Sequence, residues 1–171
     1  MSFFLRNNIN GRNRNIQNFS KKDKNLIQKF TKQFKLPVPR INLGKKLAEY
    51  GLAISMTDIS DGLCKDIFNV FNVAASGAEI RVGDLPVNEN LKYIAGLLGM
   101  NDYMDGVISF GEDYELLWTA EEGASAEVFA LSKTCGVKIS KIGAITNRFK
   151  GIKFTKNNSE YHVRDITFKH L

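Results

Sequence analysis

The amino-acid sequence predicts an α+β domain, in which helices pack on a mixed β-sheet as an α/β/α layer arrangement. Helical and strand patterns interleave along the chain, 43% of its 171 residues are apolar, and no internal repeat or low-complexity tract appears beyond an Asn-rich start. Together these describe one layered body with a real core.

The elements follow in order. Between Lys22 and Lys35 the residues Leu26, Ile27, Phe30 and Phe34 fall at helical spacing and leave a Lys-rich outer face. Pro37 and Pro39 cannot continue that helix and mark a boundary. A short helix over Leu43–Glu49 and a strand over Leu52–Thr57 come next. Leu63, Ile67, Val70, Phe71 and Ala74 then share one helical face, and Gly77 stops that helix before a strand over Ala78–Val82. A helix over Glu89–Leu98 is followed by strands over Val107–Phe110 and Tyr114–Thr119, interrupted by the acidic turn Gly111-Glu112-Asp113. The last third reads as a helix over Ser125–Thr134, a strand over Val137–Ile142, and short strands over Ile152–Thr155 and Tyr161–Val163.

Charge is distributed unevenly. Residues 1–40 carry ten Lys and Arg against the single acid Asp23, whereas the rest of the chain holds 14 basic and 17 acidic side chains. The net charge of +6 therefore belongs to the leading segment. That segment has six Asn in its first 18 residues and reads as a poorly ordered basic tail over residues 1–25. Residues 26–40 form the helix and Pro-containing linker, and residues 41–171 the main domain.

A basic arm can meet RNA, acidic lipid or an import receptor, but Phe3, Phe4 and Phe19 are too scattered to make a base-stacking platform, and nucleic acid is not an expected partner. Apolar runs fall far short of the ~20 residues that a membrane helix needs. Cys64 and Cys135, far apart and with no signal pattern upstream, suggest neither a disulfide framework nor a zinc motif, so the expected compartment is reducing and cytoplasmic. No Walker-type Gly-x-x-x-x-Gly-Lys-Ser/Thr is present.

Chemistry is concentrated in two acidic motifs. Thr57-Asp58-Ile59-Ser60-Asp61-Gly62-Leu63 falls where a strand gives way to a helix. Asp58 and Asp61 are hard oxygen ligands three apart, the Ser60 hydroxyl can donate to a phosphate oxygen, and the helix N-terminus with its unpaired N–H groups suits an anion. Ser and Asp are equally good helix caps, and such a cluster can serve that purpose with no metal. The second motif, Gly111-Glu112-Asp113-Tyr114-Glu115, opens an apolar strand. Strand alternation would send Asp113 and Glu115 to one face and Glu112 and Tyr114 to the other. A carboxylate here can take a cationic or polar substrate group, or simply face solvent.

In this order, Asp-Ile-Ser-Asp-Gly-Leu at 58–63 and Gly-Glu-Asp-Tyr-Glu-Leu-Leu at 111–117 resemble the thiamine-monophosphate kinase family. Supporting matches are Leu36 to Gly44, Ser76-Gly77-Ala78, Asp84-Leu85-Pro86 and Lys141-Ile142-Gly143. The resemblance runs from about Leu26 to the end. It implies a fold like the C-terminal domain of aminoimidazole ribonucleotide synthetase, and ATP-dependent phosphorylation of thiamine monophosphate to thiamine diphosphate with Mg²⁺. By the same resemblance Asp58 and Asp61 correspond to magnesium ligands, Ser60 to a nucleotide contact, and Glu112 to a substrate-binding acid. Phe168 corresponds to an aromatic that packs on the thiamine moiety, which as a cation–π contact is worth about 0.5–2 kcal/mol. His162 and His170 receive no role.

Phe110, Thr57 and Lys169 depart from the family pattern, which has a glycine, an apolar residue and an aspartate there. The family's N-terminal half, with its Gly-Asp-Asp magnesium site and a dimer built across those halves, has no counterpart before Leu26. The expectation is therefore a C-terminal kinase half that turns over only with a separately encoded N-terminal half, as a homodimer in the family's manner. The alternative is a non-catalytic thiamine-phosphate-binding module or degenerate fragment.

Overall fold

A computed structural model of the chain describes residues 18–72, 76–100 and 103–164. The basic tail before residue 18, Ala74 and Phe168 lie outside the described residues, as do the side chains of Phe34, Val70 and Phe71.

Helix α1 spans Lys21–Lys35, so residues 21–25, expected to belong to the poorly ordered tail, are helical, because the Ser20 cap starts the amphipathic helix that early. Its N-cap Ser20 accepts from the Asp23 N–H at 3.2 Å and donates its hydroxyl to the Asp23 carboxylate at 2.6 Å, a reciprocal cap of the kind that fixes a helix start. Ile27 and Phe30, three apart, are buried in one cluster with Ile94, Ala95 and Leu98. The Tyr93 hydroxyl donates to Asp23 at 2.9 Å, so a polar bond closes the same interface. The helix ends at Leu36, before Pro37, as the sequence predicts.

Helix α2 (Ile41–Glu49) buries Leu43 and Leu47, four apart on one face, against Leu131. Strand β1 follows at Ser55–Asp58, later than the expected start at Leu52. The reason is local: the Leu52 N–H still donates to the Leu47 carbonyl at the helix end, and pairing to the partner strand starts only when Ile54 donates to Thr119.

Helix α3 (Leu63–Asn72) and strand β2 (Gly77–Arg81) agree with the sequence reading, as does helix α4 (Glu89–Leu97). The expected strand at Val107–Phe110 is instead helix α5 (Tyr103–Ser109), whose last turn extends to Phe110 through a bond from its N–H to the Gly106 carbonyl. A four-residue segment with three apolar residues, Val107, Ile108 and Phe110, is ambiguous between strand and helix. Here Met104, Val107 and Ile108 are the three- and four-residue neighbours of one helix face, set in one cluster with Leu63 and Ile67 of α3.

Strand β3 covers Leu116–Thr119 and pairs antiparallel with β1, Asp58 opposite Leu116. Helix α6 (Ser125–Cys135) follows, but the expected strand at Val137–Ile142 does not form, and β4 lies at Gly143–Thr146. Val137 has both backbone groups committed to the helix end, its N–H to the Ser132 carbonyl and its carbonyl to the Ser132 hydroxyl. The alternation still reports burial, because Val137 and Ile139 pack on the cluster of Leu43, Leu47 and Leu131. Strand β5 spans Gly151–Lys156, and β6 is only Ser159–Glu160, so the strand expected at Tyr161–Val163 is also absent. There the Tyr161 N–H still donates to the Phe154 carbonyl of β5 at 2.8 Å, but regular pairing ends, and the Tyr161 hydroxyl donates to the buried Asp105 of α5 at 2.7 Å.

The larger sheet runs β4-β2-β5-β6. It is mixed: β2 is antiparallel to β4 and parallel to β5. Ala78, Ile80 and Phe154 point from it into a core shared with Leu63, Ile67 and Ile108. Helices on a mixed sheet are thus the fold that the sequence predicts. Among the described residues no helix is long and apolar enough to cross a membrane.

Candidate functional site

The two acidic motifs meet backbone to backbone. Ile59 donates to the Glu115 carbonyl, Tyr114 to the Ile59 carbonyl and Glu112 to the Ser60 carbonyl, each at 2.9 Å. These bonds prolong the β1–β3 pairing beyond the regular strands and press one loop on the other. Both glycines are demanded by that approach. Gly62 has φ +116° and a Cβ there would stand 2.9 Å from the Ser109 carbonyl carbon. At Gly111 a Cβ would meet the Ser60 and Asp61 carbonyl carbons at 2.6 and 2.7 Å.

The second motif is not an extended strand. Glu112 (φ 66°) and Tyr114 (φ 51°) are both left-handed, which breaks the expected alternation of faces, and regular β3 begins only at Leu116. For residues carrying a Cβ that backbone costs about 1–2 kcal/mol each. The strain is held by the ladder on either side and by Phe110, which is buried with Ile27 and Phe30.

The first motif is organised by a residue that the sequence reading did not single out. Oδ2 of Asp66, in the first turn of α3, accepts from the N–H groups of Ser60, Asp61 and Gly62, all at 3.1 Å. Asp66 is 5% exposed. Burial pushes its carboxyl above the ordinary value, against the opposing pull of the Asp61 and Gly62 N–H groups. Its sequence signal was faint: an acid in a first helical turn is ordinarily a dipole partner.

Arg40 is a second such residue. Its Nε and Nη2 hold the two Glu115 carboxylate oxygens at 2.8 and 2.6 Å, a bidentate fork that ties the segment after the prolines to the second motif. The hydrogen bond to Glu115 holds the guanidinium above its already high pKa.

Of the predicted site residues, Asp58 ends β1, Ser60 and Asp61 occupy the turn, and Glu112 lies across from Ser60. Asp58, Asp61 and Glu112 are exposed and Ser60 is half-buried. Asp61 carries a solvent-exposed ion pair with Lys65 at 3.3 Å. Two exposed carboxylates three residues apart, Asp58 at the end of β1 and Asp61 in the turn after it, are hard oxygen donors of the kind Mg²⁺ takes in ones and twos, with water and phosphate completing its shell. Among the described residues no three His, Cys, Asp or Glu side chains are gathered to enclose a metal alone. The last described residue, Arg164, places its carbonyl 3.5 Å from the Ser109 hydroxyl, beside the Gly62 contact.

Residues 9–155 match the family model described as AIR synthase related protein, C-terminal domain. The thiamine-monophosphate kinase of Buchnera aphidicola subsp. Acyrthosiphon pisum is 28% identical over 169 residues, which is 99% of this chain and 48% of the relative. The crystal structure of the thiamine-monophosphate kinase of Stenotrophomonas maltophilia superposes with a TM-score of 0.71 at 26% identity, over 88% of this chain and 45% of that one. The hydrogenase maturation protein HypE of Escherichia coli shares the fold, with a TM-score of 0.60 at 20% identity over 85% of this chain and 46% of its own. The chain spans about half the length of the curated relatives it matches.

Proposed function

The chain belongs to the AIR synthase related protein family, as its C-terminal domain, and from that membership we propose that it supplies the C-terminal half of a thiamine-monophosphate kinase. The observation that carries this reading is the junction of the two motifs. The Ser60 carbonyl accepts from the Glu112 N–H, so the loop that carries Asp61 and the loop that carries Glu112 lie side by side.

The proposed reaction is a phosphoryl transfer. A phosphate oxygen of thiamine monophosphate forms a bond to the γ-phosphorus of ATP, the bond from that phosphorus to the β–γ bridging oxygen breaks, and ADP leaves with the electron pair. The attacking oxygen is already anionic, so no covalent nucleophile on the protein is required, and catalysis rests on positioning and on neutralising charge. Asp58 and Asp61 would hold Mg²⁺, which when bound neutralises phosphate charge. The Ser60 hydroxyl would donate to the nucleotide, Glu112 would face the cationic thiamine, and Phe168 would stack on it.

The relatives are about twice as long as this chain, so ligand binding is assigned to the chain itself and turnover to its combination with an N-terminal half of the family type, including that half's dimer. Calorimetry tests the first part. Thiamine monophosphate should bind in the presence of Mg²⁺ and an ATP analogue, and Glu112→Ala should abolish that heat while an exposed-lysine variant keeps it. Mixing with the N-terminal half of a relative should then yield thiamine diphosphate. Binding without turnover in the mixture would favour a non-catalytic thiamine-phosphate-binding module, and no binding at all would reject both readings.

A further inference from the structure

Three backbone N–H groups that converge on one point form a nest, a concavity that ordinarily receives an anion such as phosphate. The N–H groups of Ser60, Asp61 and Gly62 make such a nest, and it is already filled: all three converge on one oxygen of Asp66, a side chain of the same polypeptide. We propose that Asp66 is the positioning residue of this turn, a built-in anion that occupies its amide nest so that the turn meets a phosphate group through a divalent cation and not through those N–H groups. The inference deepens the kinase reading and rests on it.

Two physical consequences support it. First, the occupied nest makes the turn electronegative. Asp58, Asp61 and Asp66 lie within nine residues, with Lys65 the cation paired to Asp61. A bare phosphate approaching the turn would meet like charge, whereas a divalent cation reverses the sign for it. Second, the nest sets the orientation of three successive peptide planes. With those N–H groups turned inward to Asp66, the Ser60 carbonyl is left for Glu112, and the Asp61 side chain stays exposed. Asp66 therefore acts on the turn as outer partners act on metal ligands, by fixing the geometry of groups that it does not replace.

Isotope-labelled chain, followed by amide chemical shifts, tests this with inorganic phosphate alone and MgCl₂ alone as probes. In the native chain the amides of Ser60, Asp61 and Gly62 should ignore phosphate, while Asp58 and Asp61 respond to Mg²⁺. Asp66→Ala vacates the nest. Its three amides should then lose hydrogen-exchange protection and shift with phosphate in the absence of metal, and Mg²⁺ affinity should fall about 10- to 100-fold. Asp66→Asn keeps an acceptor oxygen without the charge, and serves if the alanine variant does not fold. It should retain the native spectrum outside the turn yet bind Mg²⁺ more weakly.

A gain of phosphate binding is not what loss of a merely structural contact would produce. Native amides of 60–62 that shift with phosphate alone, native Asp58 and Asp61 that ignore Mg²⁺, or folded variants with native Mg²⁺ affinity would each overturn the proposal. The kinase reading fails separately, if thiamine monophosphate and the ATP analogue do not bind while these Mg²⁺ and phosphate responses persist.

Discussion

Gly111 packs against the peptide of Ser60 so closely that no side chain fits between them, with the Ser60 carbonyl carbon 2.6 Å from where a Cβ would stand. The neighbour is backbone, which cannot rotate away as a side chain could. Gly111→Ala should therefore separate the two loops and lower stability by about 1–3 kcal/mol. Gly123, which has nothing within 4 Å of its Cβ position, is the control, and alanine there should be neutral or gain about 0.4–1 kcal/mol. Urea denaturation of the two variants against the native chain measures the difference, and equal midpoints would show that the loop contact is dispensable.

Glu112 holds a left-handed backbone at φ 66°, yet its side chain is exposed. Strain of this kind persists where the surroundings over-determine it, and it collects at functional positions. Glu112→Gly removes the Cβ that makes the conformation costly, at the expense of extra chain entropy in the unfolded state, and should raise stability by up to about 1 kcal/mol. The same change should remove thiamine monophosphate binding. A loss of stability would refute the strain argument, and unchanged binding would remove Glu112 from the substrate site.

The Asp23 carboxyl lies below its ordinary value of 3.8 because the Ser20 and Tyr93 hydroxyls donate to it. A depressed folded pKa means that the native state binds fewer protons than the unfolded chain in the acid range. The stability that Asp23 contributes is thus fully present above the unfolded value and is lost as pH falls through the folded one. Asp23→Asn should flatten that part of the stability–pH curve, and Tyr93→Phe should flatten it partly, since Ser20 remains. Denaturation midpoints between about pH 2 and 5 would show it, and identical curves for all three chains would contradict the link from α1 to α4.

Long amphipathic elements were legible in the sequence because their signal is their burial. Ile27 and Phe30, or Leu63 and Ile67, recur on a helix face and are buried there. Short segments were not: Val107–Phe110 is equally consistent with strand and helix until its packing on α3 is known, and Val137–Ile142 alternates correctly while lacking a strand to pair with. The acidic motifs were legible as residue types, but their junction was not. It depends on Gly111 meeting Ser60 across fifty residues of intervening chain. Asp66 was hidden for another reason: three N–H groups converging on one oxygen follow from the turn's backbone path, which no spacing rule encodes.

Lys65 and Asp61 form an exposed pair at 3.3 Å, and that pair bears on how the turn takes a cation. A metal that recruits Asp61 must first displace the ammonium, and afterwards it has that positive charge as a neighbour. Exposed pairs of this kind are worth about 0.2–1 kcal/mol, so Lys65→Gln should tighten Mg²⁺ at the turn by roughly 1.4- to 5-fold. Added salt should shrink the difference, because the native ion pair is screened. Asp61→Asn in the Lys65→Gln background should abolish the gain, which ties it to this carboxylate and not to net charge. Mg²⁺ titrations of the native chain and the two variants at low and high ionic strength provide the measurement. If Lys65→Gln instead weakens Mg²⁺, the lysine is not a competitor of the cation, and Asp61 is not its ligand in the way proposed.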